Sequence, residues 1–152
     1  MSAFLKEGLM GVIAVGVDGS DRSIPALEWA AKEAAAHGHV LRVYTAWSIP
    51  VTALSPGGLP APYPIDELES DGRAAQEAAI AKADMPAGLV IEHHVVEGGP
   101  RAVLLDAAKT ADLLVIGSRG HGGFAGLLLG SVGNQITGHT DCPVVVVPTA
   151  HH

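Results

Sequence analysis

Leu113-Leu114-Val115-Ile116-Gly117-Ser118-Arg119-Gly120, followed nine residues later by Gly130-Ser131, decides how this chain is read. The apolar run 113–116 has the length and composition of a buried strand. The segment after it is dense in glycine, with six glycines from Gly117 to Gly130. It ends at Ser131, a good helix N-cap, and the residues from Val132 to Thr137 read as a helix. Strand, glycine loop and helix N-terminus together make a natural seat for an anionic phosphate. Glycine has no Cβ to keep backbone N–H groups away from a ligand, and the helix dipole favours negative charge at its start.

Outward from this loop the chain alternates between two periodicities. Residues 11–17 form an apolar, glycine-containing strand that ends at Asp18. Ser23 opens a helix with Pro25 in its first turn; Ile24, Leu27, Ala31 and Ala34 share one face, and Gly38 ends it. Val40–Trp47 is a second strand. Residues 48–64 hold five prolines and two glycines and read as a loop. A second helix spans 65–83, with Ile65, Leu68, Ala75 and Ala79 aligned and Gly72 weakening it. Leu89–Val96 reads as a third strand, Pro100–Lys109 as a third helix and 112–117 as the fourth strand. Pro143 and Pro148 bracket a fifth strand. Strands alternating with helices build a parallel sheet covered on both faces, and such sheets take ligands at the carboxyl ends of strands where the winding reverses.

Composition narrows the class. The 152 residues suffice for one domain with a sizeable core. Hydrophobic residues make up 48% but aromatics only 4%, so the core is built of Val, Leu, Ile and Ala. No apolar run reaches the roughly 18 residues of a membrane span, and no secretory leader is evident. The single cysteine, Cys142, cannot form an intrachain disulfide. A cytoplasmic location is the expectation. A formal net charge of −7 argues against nonspecific binding to nucleic acid or anionic lipid. It does not argue against a nucleotide held by glycine N–H groups.

The loop closely resembles the nucleotide-binding signature of the universal stress protein family: Gly, two residues, Gly, nine residues, Gly, then Ser or Thr. Gly117, Gly120, Gly130 and Ser131 fill every position. Residues 12–20, Val-Ile-Ala-Val-Gly-Val-Asp-Gly-Ser, resemble the family's first strand and its terminal aspartate, and 144–148 its last strand. The resemblance covers nearly the whole chain. It implies a single domain over 1–152 with its core at about 10–148. It also implies a doubly wound, five-stranded parallel sheet in the order 3-2-1-4-5, of the Rossmann-like adenine nucleotide alpha-hydrolase type. That order makes strands 1 and 4 neighbours and brings Asp18 and Gly117 together.

The implied ligand is an adenine nucleotide, ATP first, with Mg2+ or Mn2+ bound alongside it. Gly117, Gly120, Gly130 and Ser131 read as the phosphate cradle, with Ser118, Arg119 and Val132 also counted among the nucleotide-binding residues. The resemblance implies that Asp18 contacts the nucleotide, through a ribose hydroxyl or a bridging metal ion. The other reading of Asp18 is an Asp-Gly turn residue, and the two roles can coexist. The resemblance further implies adenine contacts from the backbone near Ala46 and near Gly98. Arg119 meets a phosphate or is an exposed loop charge; His121 reads first as a surface residue. His93 and His94 are adjacent on a strand and point to opposite faces, so they do not readily share a metal ion. His37 and His39 flank a turn and read as solvated.

No Walker lysine, zinc-ligand spacing or nucleophile elbow is present. The expectation is an ATP-binding sensor or regulator with slow hydrolysis at most. The alternatives are a hydrolysing enzyme and a nucleotide-free interaction protein. The resemblance also implies a homodimer paired through the last strand.

Overall fold

The computed structural model of the chain describes residues 11–49, 65–118 and 136–149. Arg119, Gly120, His121, Gly130, Ser131 and Val132, most of the proline-rich segment 48–64 and most of the helix expected over 132–137 lie outside the described residues. Five strands form one sheet: β1 (Val12–Gly16), β2 (Val40–Trp47), β3 (Ile91–Glu97), β4 (Leu113–Gly117) and β5 (Val144–Val147). They lie in the order β3-β2-β1-β4-β5, every neighbouring pair parallel. Expected order and observed order agree. β1 therefore sits at the centre, where the chain reverses its direction of winding.

Side chains alternate across this sheet and create two apolar layers. On one face Ile13, Val15, Leu41, Val43 and Val115 pack against helix α1 (Ile24–His37) and helix α2 (Ile65–Lys82). On the other face Ala14, Tyr44, Leu114 and Ile116 meet helix α3 (Pro100–Ala108) and Ile136. The fully buried side of α1 is Ala26, Leu27, Ala30, Ala31 and Ala34, a small-residue stripe that lets the helix lie close to the β1 and β4 valines and isoleucines. Burying such side chains supplies the main driving force, about 25 cal/mol for each Å² of apolar surface removed from water.

The local signals act with some changes. Ser23 stands at the N-cap of α1 but makes no side-chain cap bond; its hydroxyl instead donates to Ser20 O at 2.8 Å. Gly38 ends α1 in the left-handed conformation, φ +68°. β3 starts at Ile91 rather than Leu89 and runs on to Glu97. On α2, Ile65 is exposed, and the side chains that enter the core are Gln76 and Ala79. Gly72 follows from close packing: a Cβ there would lie 3.2 Å from Val95 Cγ1.

Candidate functional site

The carboxyl edge of the sheet gathers the candidates that fall within the described residues. Asp18 follows β1, Ala46 lies near the end of β2, Gly98 follows β3, and Gly117-Ser118 close β4. The register aligns Gly16 with Tyr44 and Ala46 with Val96, so these strand ends stand side by side. At β4 the ladder pairs Gly117 with Val147 of β5, and Ser118 N donates to Val147 O at 2.9 Å. Gly98 N donates to Trp47 O at 2.8 Å, which ties the turn after β3 to the end of β2.

Asp18 is exposed and organises the turn that follows it. Its Oδ1 accepts from Ser20 N at 2.9 Å and from Ser20 Oγ at 2.6 Å. Among the described residues no hydrogen bond reaches Oδ2, so the capping role leaves one oxygen for a ligand. Gly19, at φ +88°, lies where α2 comes closest: a Cβ there would stand 3.0 Å from Ala75 Cβ. A single 3-10 turn, Asp21–Ser23, then packs against β4 and leads into α1.

Behind this edge lies a buried polar chain that periodicity did not reveal. The ladder between β1 and β2 ends at Gly16, and the Val17 carbonyl accepts from Thr45 Oγ1 at 2.9 Å. Thr45 Oγ1 in turn accepts from Gln76 Nε2 at 3.0 Å. The same nitrogen lies 3.2 Å from Val43 O and 3.1 Å from His94 O, three acceptors for two protons. Gln76 Oε1 accepts from His93 Nδ1 at 3.1 Å, which fixes the tautomer of that ring. Val17, the residue immediately before Asp18, is thus tied to α2 through the Thr45 and Gln76 side chains, 4% and 1% exposed. The only sequence signal was a glutamine set among alanines on an otherwise small-residue helix face.

Two buried polar atoms at the same edge have no hydrogen-bond partner among the described residues: Arg22 Nε and Thr149 Oγ1. Arg22 lies in the 3-10 turn. Thr149 follows β5, and its N–H donates to Ser118 Oγ at 3.3 Å. Sequence reasoning passed over both, because a charged residue in a short polar turn ordinarily faces water.

The remaining candidates resolve as follows. His93 and His94 do point to opposite faces: His94 stacks on Tyr44 with ring centroids 4.7 Å apart, away from Gln76. Arg42 Nε donates to Glu92 Oε1 at 2.8 Å and holds that carboxyl below the usual glutamate range, while burial pushes the Tyr44 phenol up. His39 is not simply solvated: its Nδ1 accepts from Gly11 N at 3.1 Å, and its ring stacks on His37. Both sit at the opposite, amino edge of the sheet. Burial raises the Cys142 thiol above its usual range. Among the described residues no group of three or more His, Cys, Asp or Glu side chains is arranged to hold a metal ion, and no helix is long and apolar enough to cross a membrane.

Comparison with known proteins finds a matching family. The profile of the universal stress protein family matches residues 10–148. A universal stress protein of Mycolicibacterium smegmatis is 32% identical over 142 residues, which cover 89% of this chain and 47% of that protein. One from Mycobacterium tuberculosis (strain H37Rv) is 36% identical over 143 residues, 88% of this chain and 43% of that protein. The chain thus spans a little under half the length of these curated relatives. Among solved structures, a universal stress protein in complex with cAMP is similar at 31% identity with a TM-score of 0.60, covering 93% of this chain and 98% of its own.

Proposed function

The chain belongs to the universal stress protein family, and from that premise we propose that it binds an adenine nucleotide, ATP first, at the carboxyl edge of its sheet. The observation that carries this reading is the convergence of Asp18, Ala46, Gly98 and Gly117 on one edge, at the point where the winding reverses between β1 and β4. Such points are where open α/β sheets take ligands. The solved relative in complex with cAMP supports an adenine ligand.

In this reading the backbone near Ala46 and Gly98 meets the adenine. Gly117, Ser118, Arg119, Gly120, Gly130, Ser131 and Val132 cradle the phosphates. Asp18 Oδ2, which no hydrogen bond reaches among the described residues, takes a ribose hydroxyl or a Mg2+ or Mn2+ ion. One carboxylate suits Mg2+, which draws its other ligands from phosphate and water. The nucleotide acts as a regulatory ligand, with turnover well below the roughly 1 per second of slow ordinary enzymes. The chain pairs with a second copy along β5, whose four valines stand at the sheet edge half-buried. Pairing covers an edge that would otherwise invite aggregation. Light scattering then reports a dimer at micromolar concentration; monomer alone contradicts this part of the reading.

Titration calorimetry with ATP, AMP and cAMP, with and without Mg2+, tests the proposal. ATP should bind, and Gly117→Val should weaken it more than Ser131→Ala, because a Cβ intrudes where backbone meets phosphate while the Ser131 change leaves the N–H groups in place. Loss of one hydrogen bond to a charged group costs about 1.5–3 kcal/mol. Folded protein that binds none of the three nucleotides overturns the reading. Turnover of several per second, abolished by His121→Ala, would make the chain an enzyme instead.

A further inference from the structure

We propose that Arg22 is a phosphate-binding residue, the cation that meets the anionic end of the ligand at the carboxyl ends of β1 and β4. The inference rests on the nucleotide reading above and adds to it a residue outside the glycine loop. Arg22 Nε is buried and has no hydrogen-bond partner among the described residues. Burying a donor of a charged group without an acceptor is costly, so native proteins rarely leave one. Carboxylates are not scarce here: the chain has 16 acidic residues. The two nearest in sequence, Asp18 and Asp21, make no hydrogen bond or ion pair with Arg22 among the described residues. Asp18 Oδ1 accepts from Ser20 N and Oγ at 2.9 and 2.6 Å, and Asp21 Oδ1 pairs with Lys82 Nζ at 3.2 Å.

Position specifies the missing acceptor. Arg22 belongs to the 3-10 turn that packs against β4, the strand that runs into Gly117-Ser118. That turn is hydrogen-bonded into one piece with the Asp18 turn, since Ser23 N and Ser23 Oγ both donate to Ser20 O, at 3.1 and 2.8 Å. An arginine held there lies on the same edge as Gly117 and Ser118. A guanidinium presents several N–H donors in a planar fork that matches phosphate oxygens, and its charge offsets the repulsion between Asp18 and an anionic ligand. Among the described residues this donor has no acceptor, and a phosphate oxygen would supply one.

Opposite responses of the free and bound protein test this. Arg22→Met and Arg22→Lys are compared with wild type by calorimetry with ATP and with adenosine, and by thermal melting without ligand. Arg22→Met should weaken ATP roughly ten- to a hundredfold, the range for a lost hydrogen bond to a charged group. It should leave adenosine affinity unchanged and not lower the melting temperature of the free protein. Arg22→Lys should fall between the two in ATP affinity. Unchanged ATP affinity in Arg22→Met, or ATP and adenosine weakened in parallel, overturns the inference while leaving the nucleotide reading intact. Wild-type protein that binds neither ligand overturns the nucleotide reading itself, and this inference with it.

Discussion

Asp18 caps the turn after β1 with Oδ1 on Ser20 N at 2.9 Å, and four residues on Arg22 buries its Nε. A carboxylate at the end of an apolar strand, followed by glycine, marks a strand end and a turn whichever way the rest of the chain folds. Whether a turn arginine is wet or buried depends on what packs over it, which no local pattern records. Gln76 was hidden in the same way: a glutamine among alanines reads as the wet side of a helix until the Val43 and His94 carbonyls are seen within 3.2 Å of its amide. Arg42 and Glu92 give the clearest single-residue prediction. The hydrogen bond from Arg42 holds the Glu92 carboxyl below the ordinary glutamate value. The unfolded chain therefore binds more protons than the folded one in the acid range, and stability rises with pH there. The contribution is fully present above the ordinary glutamate value and is lost as pH falls through the folded one. Arg42→Met should flatten that acid-side loss of stability, read as urea midpoints between neutral and acid pH. The effect should be small, within the 0.2–1 kcal/mol or so of partly exposed pairs, since water and salt screen it. An unchanged acid slope contradicts the assignment.

At the scale of elements, α2 acts as the brace of the candidate site. Ala75 closes on Gly19, Gly72 closes on Val95, and Gln76 reaches Thr45, which holds the Val17 carbonyl beyond the end of the β1 ladder. Val17 lies one residue past the last β1–β2 pair, and the Thr45 hydroxyl supplies its carbonyl with a partner. Thr45→Val keeps the shape and removes that bond, so it should weaken ATP binding roughly three- to tenfold, as for one net hydrogen bond. Thr45→Ser should restore it. Equal affinity in all three proteins would show that the brace does not set the position of Asp18. The elements themselves were readable: Val40–Trp47 and Val144–Val147 stand where the sequence puts them, because apolar runs between turn signals admit few alternatives. The second helix was readable as a helix but not as to which side faces the core. Its alanines carry little amphipathic signal, and burial fell on Gln76 and Ala79 rather than on Ile65.

For the whole molecule, the parallel order β3-β2-β1-β4-β5 follows from alternating strands and helices together with the family resemblance; alternation alone fixes a covered parallel sheet but not which strands adjoin. This order gives the two edges of the sheet different characters. The amino edge is closed by side chains on backbone, with Gly11 N donating to His39 and Val12 N donating to Asp112 Oδ2 at 2.8 Å. Among the described residues, the carboxyl edge leaves Asp18 Oδ2, Arg22 Nε and Thr149 Oγ1 without hydrogen-bond partners. A ligand should therefore recognise one edge and ignore the other. Amide chemical-shift mapping during titration with ATP and Mg2+ reads this directly. The account predicts that the perturbed amides cluster at Asp18–Arg22, Ala46, Trp47, Gly98, Gly117, Ser118 and Thr149, while Gly11, His39 and Asp112 stay still. Perturbations centred on the amino edge, or none at saturating ATP, would contradict it.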